Sequence, residues 1–578
     1  MKYKCTNIII GAGPAGLQLG YFFGKNNIKY IILEKSDKCG SFFNNFPHSG
    51  KLISINKKYT GSDIIDFNLR HDWNSLLSDE NNPLFTSYSD DFYPDKNEMV
   101  IYLNDFAKIH ELNIIYNSNV TNIIKDTNNN YTLHVTCDNK KITYMCEKLI
   151  IATGLSKPSI PQNIIKKYKK PIKHYGDYNK DYFKDTKNLE EFKNKSLLIL
   201  GDGNSGLELA NLLNPYCSSI SLHGKRKKLL SISSHYAGSP RSIYLPFYDT
   251  FYLKSLNSIV SESDHMNIVI EQKIETEKEI KEPKIEEKEK EKEKEKEKEK
   301  EISEITEEST KKKDINNIPY DVSFICSPNC NKQHALYDTA RSSFDNIILC
   351  TGWMFDNSIF DFELKLTHNN KYPLVDFKYM SINNENLFFI GTLMHSLDYM
   401  KSSGGFIHGF RYLIKNFISI NYDIPFNINT FTKTDDIGEL VNHIMDKINN
   451  TSALYQMYGY LCDFFYYDYI KKTIIYYNNI NMNLVTSNYI KYNSDIYFII
   501  RLQYGNEIIT DLNKLGKKTS HIGTESNSSL LHPVLIVMTK QNVLIDLIHF
   551  DEDLFANYTH INIYYHKLVR SINMFISI

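Results

Sequence analysis

The chain has 578 residues, room for roughly three to four domains of ordinary size, and 42% of them are hydrophobic, enough to build sizeable cores. Its formal net charge of -1 removes any electrostatic case for binding nucleic acid or an anionic membrane surface. The nine cysteines are scattered, which excludes a small disulfide framework. The close pair Cys326 and Cys330 has neither the redox C-x-x-C spacing nor a second Cys/His cluster, so no metal site is expected. A stretch of about 18 apolar residues is needed to cross a bilayer. The chain has none, so no transmembrane segment is expected. Abundant Asn, Lys, Ile and Tyr look like a coding bias and carry no functional meaning.

The first stretch, "CTNIIIGAGPAGLQLG", reads as a strand, a glycine turn and a helix. Gly11, Gly13 and Gly16 fit G-x-G-x-x-G, with Ala12, Pro14 and Ala15 between them. The first glycine allows the tight turn, the second lets the backbone approach a pyrophosphate, and the third lets helix and strand pack closely. The next strand, "KYIILEK", ends in Glu34 and Lys35, about 20 residues on, where a carboxylate accepts ribose hydroxyls. It also repels a 2′-phosphate, so this site is expected to take FAD or NAD rather than NADP. "MKYKCTNIII" is needed as a strand, so it is not read as a signal peptide.

"EKLIIATG" supplies a third strand ending at Ala152, Thr153 and Gly154. Then "SLLILGDGNSG" repeats the glycine turn with Gly201, Gly203 and Gly206, enclosing Asn204 and Ser205. Its second strand, "SISLHG", runs into Lys225 and Arg226 instead of an acid. Cations there suit a 2′-phosphate, so NADPH is the expected partner of the second turn. The repetition is then explained. One turn would hold a flavin dinucleotide, and the other would receive the nicotinamide dinucleotide that reduces it.

A run of alternating Lys and Glu from about 271 to 313 has almost nothing apolar to bury and reads as a disordered insertion in a loop. Strands resume at "FDNIILCTG", which includes Gly352, and at "NLFFIGT", which ends in Gly391 and Thr392. A helix follows from about Gly405. From about 435 onward glycine turns cease. "ELVNHIMDKINN" is amphipathic and helical, and the Tyr/Ile-rich remainder resists assignment.

Two glycine turns separated by "LIIATGLSKPSIP" resemble the two-dinucleotide-binding-domain flavoproteins. In these, the segment at Ala152 passes the FAD and leads to the NADPH domain. "IILCTGWMFD" resembles the return connection and "NLFFIGT" the last FAD strand. "GSFFNNFPHSGKLISINKKYTG", "FNLRHDWNSLLS", "HSLDYMKSSGGFIHGFRY" and "TSALYQMYG" are similar to a branch of endoplasmic-reticulum flavoproteins associated with degradation, near the flavin monooxygenases. The likeness runs over about 5–430 and returns in patches to about 535. It implies an endoplasmic-reticulum lumen location, with partners in the degradation machinery or in thiol–disulfide exchange. No signal peptide or retrieval tail is read here, which leaves cytoplasmic as the alternative. Of the monooxygenase linker signature, His174 and Tyr178 match while Tyr168 and Lys170 depart. In most relatives a Gly-Asp closes the last FAD strand. Here Thr392 or Asp398 would take that acid's place. Cys39 has no nearby partner in sequence and reads as packing.

The expected fold class is α/β, with two Rossmann-like dinucleotide-binding domains and a C-terminal accessory α+β region. The FAD domain comprises 1–165 and 341–430, the NADPH domain 166–340, and the accessory region 431–578. The FAD set, from motif and resemblance together, adds Gly40, Ser41 and Val120 to the residues above. Asn56, Arg70, His71 and His395 are the catalytic candidates, with Trp73 and Phe67 as possible walls of the flavin ring site. The expected activity is that of an NADPH-dependent FAD oxidoreductase. The alternatives are a monooxygenase acting on N or S atoms and an FAD-stabilised adaptor without activity.

Overall fold

The structure, a computed structural model, describes residues 2–79, 82–161, 172–224, 231, 241–246, 249, 258–262, 266–271, 320–326, 343–432, 437–505, 524–551 and 562–576. The chain forms two compact units. One comprises Met1–Pro158, Lys228–Leu245 and Trp353–Ile578, and the other Ser159–Lys227 and Pro246–Gly352. The Lys/Glu run from about 271 to 313 lies almost wholly outside the described residues.

The first unit is built on a seven-stranded sheet. The strand Lys2–Ile10 lies between Tyr30–Leu33 and Lys140–Ile151, parallel to both. Ile8, Ile9, Leu149, Ile150 and Ile151 are wholly buried, as strands covered on both faces require. The long strand Lys140–Ile151 divides its other edge. Residues 140–146 pair antiparallel with Tyr131–Cys137, while residues 149–151 take Leu387–Phe389 in parallel. The chain thus returns to complete the first sheet after a long excursion, as "NLFFIGT" led us to expect.

Two helices that touch one another lie beside this sheet. Pro14–Lys25 begins with proline in its first turn, where a missing N–H costs nothing. Lys96–Ile109 begins with a full capping box between Asp95 and Glu98. The helix Ile407–Asn421 follows the last FAD strand and packs on Pro14–Lys25.

The C-terminal residues form a six-stranded antiparallel sheet, ordered (428–432)-(473–481)-(461–468)-(496–503)-(532–539)-(544–549), with the amphipathic helix Ile437–Asn450 against it. It is the expected α+β body, and it shares a core with the FAD portion. Phe464, Tyr476 and Ile500 belong to the same continuous buried cluster as Ile9, Leu17 and Phe410. Its aromatic richness resolves into stacks, such as Phe465 on Phe498 at 4.6 Å and 2°.

The second unit carries a five-stranded parallel sheet, ordered (258–262)-(219–224)-(196–200)-(346–349)-(173–174). A three-stranded antiparallel sheet from 266–271, 320–326 and 343–344 completes it. Among the described residues, no helix is long and apolar enough to cross a membrane.

Candidate dinucleotide-binding sites

In the first unit the chain leaves the strand Lys2–Ile10 through Gly11, whose φ of 105° is open only to glycine. A Cβ at Gly11 would lie 2.9 Å from the Ala152 carbonyl oxygen, and one at Gly16 only 2.0 Å from that of Gly11. Gly13 differs, because a Cβ there would meet nothing within 4 Å. Its lack of a side chain therefore keeps free the space ahead of the Pro14–Lys25 helix, whose N-terminus has no side-chain cap. Uncapped N–H groups at a helix N-terminus attract an anion.

That space belongs to a cleft of about 270 Å³. Ten of the expected FAD residues line it: Gly11, Gly13, Pro14, Glu34, Lys35, Gly40, Ser41, Val120, Ala152 and Thr153. Ala12, Ala15 and Gly16 lie in the same turn and first helical turn. Gly154 has a φ of 63° and is not in the lining.

Glu34 is 3% exposed. Its carboxylate accepts the Ala12 N–H at 2.7 Å and the Ser36 N–H at 3.0 Å. The Gly40 N–H donates to the Ala12 carbonyl at 3.1 Å, so the loop after Glu34 is tied to the glycine turn. These bonds fix the acid at the cleft wall, where a ribose would need an acceptor.

The sequence reading missed the aromatic side of the cleft. Phe42, Phe43 and Phe46 come from "SFFNNF", directly after Gly40, and local proximity in sequence could have suggested them. Trp353, whose ring centroid lies 5.2 Å from that of Phe46, arrives from a distant segment and left no local signal.

Gly391 has a φ of 71°, and a Cβ there would fall 2.5 Å from the Ala15 side chain. The last FAD strand thus ends pressed against the first helix. Neither stand-in for the usual acid is idle. The Thr392 hydroxyl donates to the Gly405 carbonyl at 3.1 Å. Asp398 is 2% exposed and bonds His395 Nδ1 at 3.0 Å, the Gly404 N–H at 3.0 Å and the Ser402 hydroxyl. His395, a catalytic candidate, is therefore held inside this buried loop network.

The other candidates are held to differing degrees. Arg70 is 2% exposed; its guanidinium donates to the Thr451 carbonyl at 2.8 Å and the Ile448 carbonyl at 2.9 Å, at the C-terminal end of the helix Ile437–Asn450. Free carbonyls at a helix C-terminus need such donors. The geometry gives Arg70 a holding role at that helix end. Arg411, unremarked in the sequence, does the same for the carbonyls of Leu69, Asp72 and Ser75. Asn56 donates to the Ser89 carbonyl at 2.8 Å, which leaves its buried Oδ1 without a hydrogen-bond partner. His71 is half-buried, and burial followed by the Arg70 charge lowers its pKa. Phe67 lies 5.3 Å from His71. Trp73 stacks on His408 at 4.5 Å, with Phe406 parallel to the same imidazole at 5.5 Å. The Arg241 guanidinium reaches over Trp73 and Phe406. Burial, then Arg411 and Arg241, pushes the His408 pKa well down.

Cys39 is fully buried, 3.2 Å from the Tyr116 hydroxyl, and burial pushes its thiol up to about 11. It packs, as expected, and is no ready nucleophile. Every described cysteine whose state the structure gives is free.

The second unit repeats the first turn bond for bond. The Gly201 N–H donates to His223 at 2.8 Å and Cys350 N–H to Leu200 at 2.6 Å, as Gly11 N–H does to Leu33 and Ala152 N–H to Ile10, each at 2.9 Å. Gly201 has a φ of 106°, and its Cβ would fall 2.2 Å from the Cys350 carbonyl oxygen. Gly206 presses on Gly201, and Gly203 again faces open space. Asn204 and Ser205 open the helix Asn204–Leu213, which has no side-chain cap at its start. Gly352 has a φ of 85°, and its carbonyl accepts the Ser159 N–H at 2.9 Å. Lys225, Arg226, Tyr168 and Lys170 lie outside the described residues. His174, matched to the monooxygenase linker, is buried and accepts the Gly176 N–H at 3.0 Å, closing a local turn.

Two such cradles, each at the end of parallel strands in its own sheet, define a two-dinucleotide-binding-domain flavoprotein. Residues 8–391 match the family described as pyridine nucleotide-disulphide oxidoreductase. The chain belongs to that family of flavin-dependent oxidoreductases. It is 31% identical over 551 residues to FAD-dependent oxidoreductase domain-containing protein 2 of Mus musculus, covering 91% of this chain and 75% of the mouse protein. The protein of the same name from Danio rerio is 34% identical over 459 residues, covering 79% of this chain and 64% of its own length. Among solved structures, a bacillithiol disulfide reductase from Bacillus cereus covers 72% of this chain and 98% of its own, at 15% identity and a TM-score of 0.44.

Proposed function

We propose that the chain is an NADPH-dependent FAD oxidoreductase of endoplasmic-reticulum redox and quality control. The observation that carries the chemistry is the doubled glycine turn, in which only the middle glycine faces open space, with Glu34 anchored beside the first copy. FAD fits the first cleft. Its pyrophosphate would be held by the Gly11–Gly16 turn and the helix behind it, and its adenosine ribose by Glu34, with Gly40, Ser41 and Val120 in the lining. Bound there, FAD would supply two-electron chemistry, and NADPH at the second turn would be the hydride source. The 2′-phosphate preference rests on Lys225 and Arg226 in the sequence.

Among the described residues, no cysteine lines the cleft. Cys39, in the loop after Glu34, is buried, and burial pushes its thiol up to about 11. We therefore place the electron acceptor outside the chain, as a thiol–disulfide partner. The lumen and its degradation machinery are inferred from sequence likeness alone. Of the named candidates, Asn56 retains an orphaned buried acceptor and is the one we propose for contact with the flavin ring system.

Anaerobic titration of the purified yellow protein with NADPH and then NADH tests the assignment. Flavin absorbance is expected to bleach faster with NADPH. Equal rates would remove the 2′-phosphate argument, and a protein that stays colourless after incubation with FAD would remove the flavin. Oxygen consumption tied to oxygenation of an amine or thioether would favour the monooxygenase. A tagged chain digested by protease when only the plasma membrane is opened would refute the lumen.

A further inference from the structure

A second cavity with charged walls lies apart from the nucleotide cleft. It lies where the C-terminal end of the helix Pro14–Lys25 meets the helices Ile407–Asn421 and Ile437–Asn450 and the strand Thr473–Asn481, and it measures about 540 Å³. That is an ordinary size for a small-molecule site. Three ammonium groups line it, from Lys25, Lys415 and Lys447, against two carboxylates, Asp66 and Asp79.

The pairing leaves cations over. Lys25 is bound to Asp79 in an ion pair. Asp66 already accepts the Ser452 N–H at 3.1 Å. Lys447 reaches only the Asn479 amide oxygen, at 3.4 Å. Among the described residues, no carboxylate lies within ion-pair distance of Lys415 or Lys447. Lys415 lines the cavity and is exposed to solvent. Burial lowers its pKa, Lys447 and Lys25 lower it further, and Asp66 partly offsets them. The same concavity has an apolar wall from Ile424, Pro425 and Phe426. Like charges gathered in a hollow repel one another, and an anion between them removes the repulsion.

We infer that this cavity binds a small organic anion, with a carboxylate or phosphate head between Lys415 and Lys447 and an apolar body along Ile424–Phe426. Nothing in the inference depends on flavin chemistry. Each charge-assisted contact to the head adds directly to affinity.

The test uses the flavin-loaded protein and four probes: octanoate, octyl phosphate, inorganic phosphate and octanol. Thermal unfolding and trace acylation of lysines, read by mass spectrometry, are the measurements. Octanoate or octyl phosphate is expected to raise the unfolding midpoint and to slow acylation of Lys415 selectively. Which of the two acts at lower concentration identifies the head group. Octanol is expected to do neither. In Lys415→Met/Lys447→Met the midpoint shift requires about tenfold or more probe, the loss expected for removing charged hydrogen bonds. An unchanged Lys415 labelling rate with every probe, or an equal shift in the double variant, would overturn the inference. Flavin absorbance reports whether the variant has kept its fold, and the wild-type labelling result stands even if it has not.

Discussion

Replacing Glu34 by alanine tests the first cradle from two sides. In the free protein, the Glu34 carboxylate closes two N–H groups, from Ala12 at 2.7 Å and Ser36 at 3.0 Å. A bond to a charged acceptor contributes about 1.5–3 kcal/mol. The Ala12 donor is buried and would be left unpaired, while the part-buried Ser36 donor can turn to water. The expected loss in stability of the FAD-free protein is therefore about 3 kcal/mol, not the full sum. FAD binding should weaken separately, because the ribose loses its charged acceptor. One such contact corresponds to about ten- to a hundredfold in Kd. Glu34→Gln keeps one acceptor oxygen and the shape, so it should recover more of the stability than of the FAD affinity. Urea unfolding of the apoprotein and fluorescence titration with FAD measure the two effects. If Glu34→Ala unfolds at the wild-type midpoint and binds FAD within a factor of two, the account of this residue is wrong.

The glycines of the same turn should separate folding from binding. Gly13→Ala has extended backbone and free space for its Cβ, so apoprotein stability should hold while FAD affinity falls. Gly16→Ala would place Cβ 2.0 Å from the Gly11 carbonyl oxygen and should yield little folded protein. Soluble yield and FAD retention check both, and the opposite ranking would contradict the geometry. Arg70→Met should lower the free energy of unfolding by about 3 kcal/mol, and with it the midpoint, because two buried carbonyls lose charged donors. An unchanged midpoint with lost NADPH oxidation would return Arg70 to catalysis.

His223 gives a pH dependence to the second unit. Burial lowers its pKa to about 4, against about 6.5 for the unfolded chain. The unfolded state takes up the proton first, so stability is unaffected above about pH 6.5 and falls as pH drops from there to about 4. The loss for this group approaches about 3 kcal/mol. His223→Phe should flatten that part of the urea midpoint–pH profile, and an unflattened profile would exclude His223 as the cause.

The glycine turns, the acid at the end of the second strand and the return of the last FAD strand were legible along the chain. The glycine turns are local, since a φ near 105° or a 2.0 Å approach within one turn admits only glycine, while the returning strand was legible through resemblance. Strand and helix boundaries near these turns followed for the same reason. What the polar residues do was not local. "NLRHDWN" resembles a cluster of reactive groups, yet Arg70 serves carbonyls 378 and 381 residues away. His395 is tied into its own loop, and Trp73 is stacked on His408. The burial that makes a guanidinium hold a helix end, or draws Trp353 to the cleft beside Phe46, comes from contacts between distant segments. Pairwise spacing in sequence does not encode it. The accessory sheet shows the same limit: its Tyr/Ile-rich segments resisted assignment, and only packing joins them to the core of the first domain.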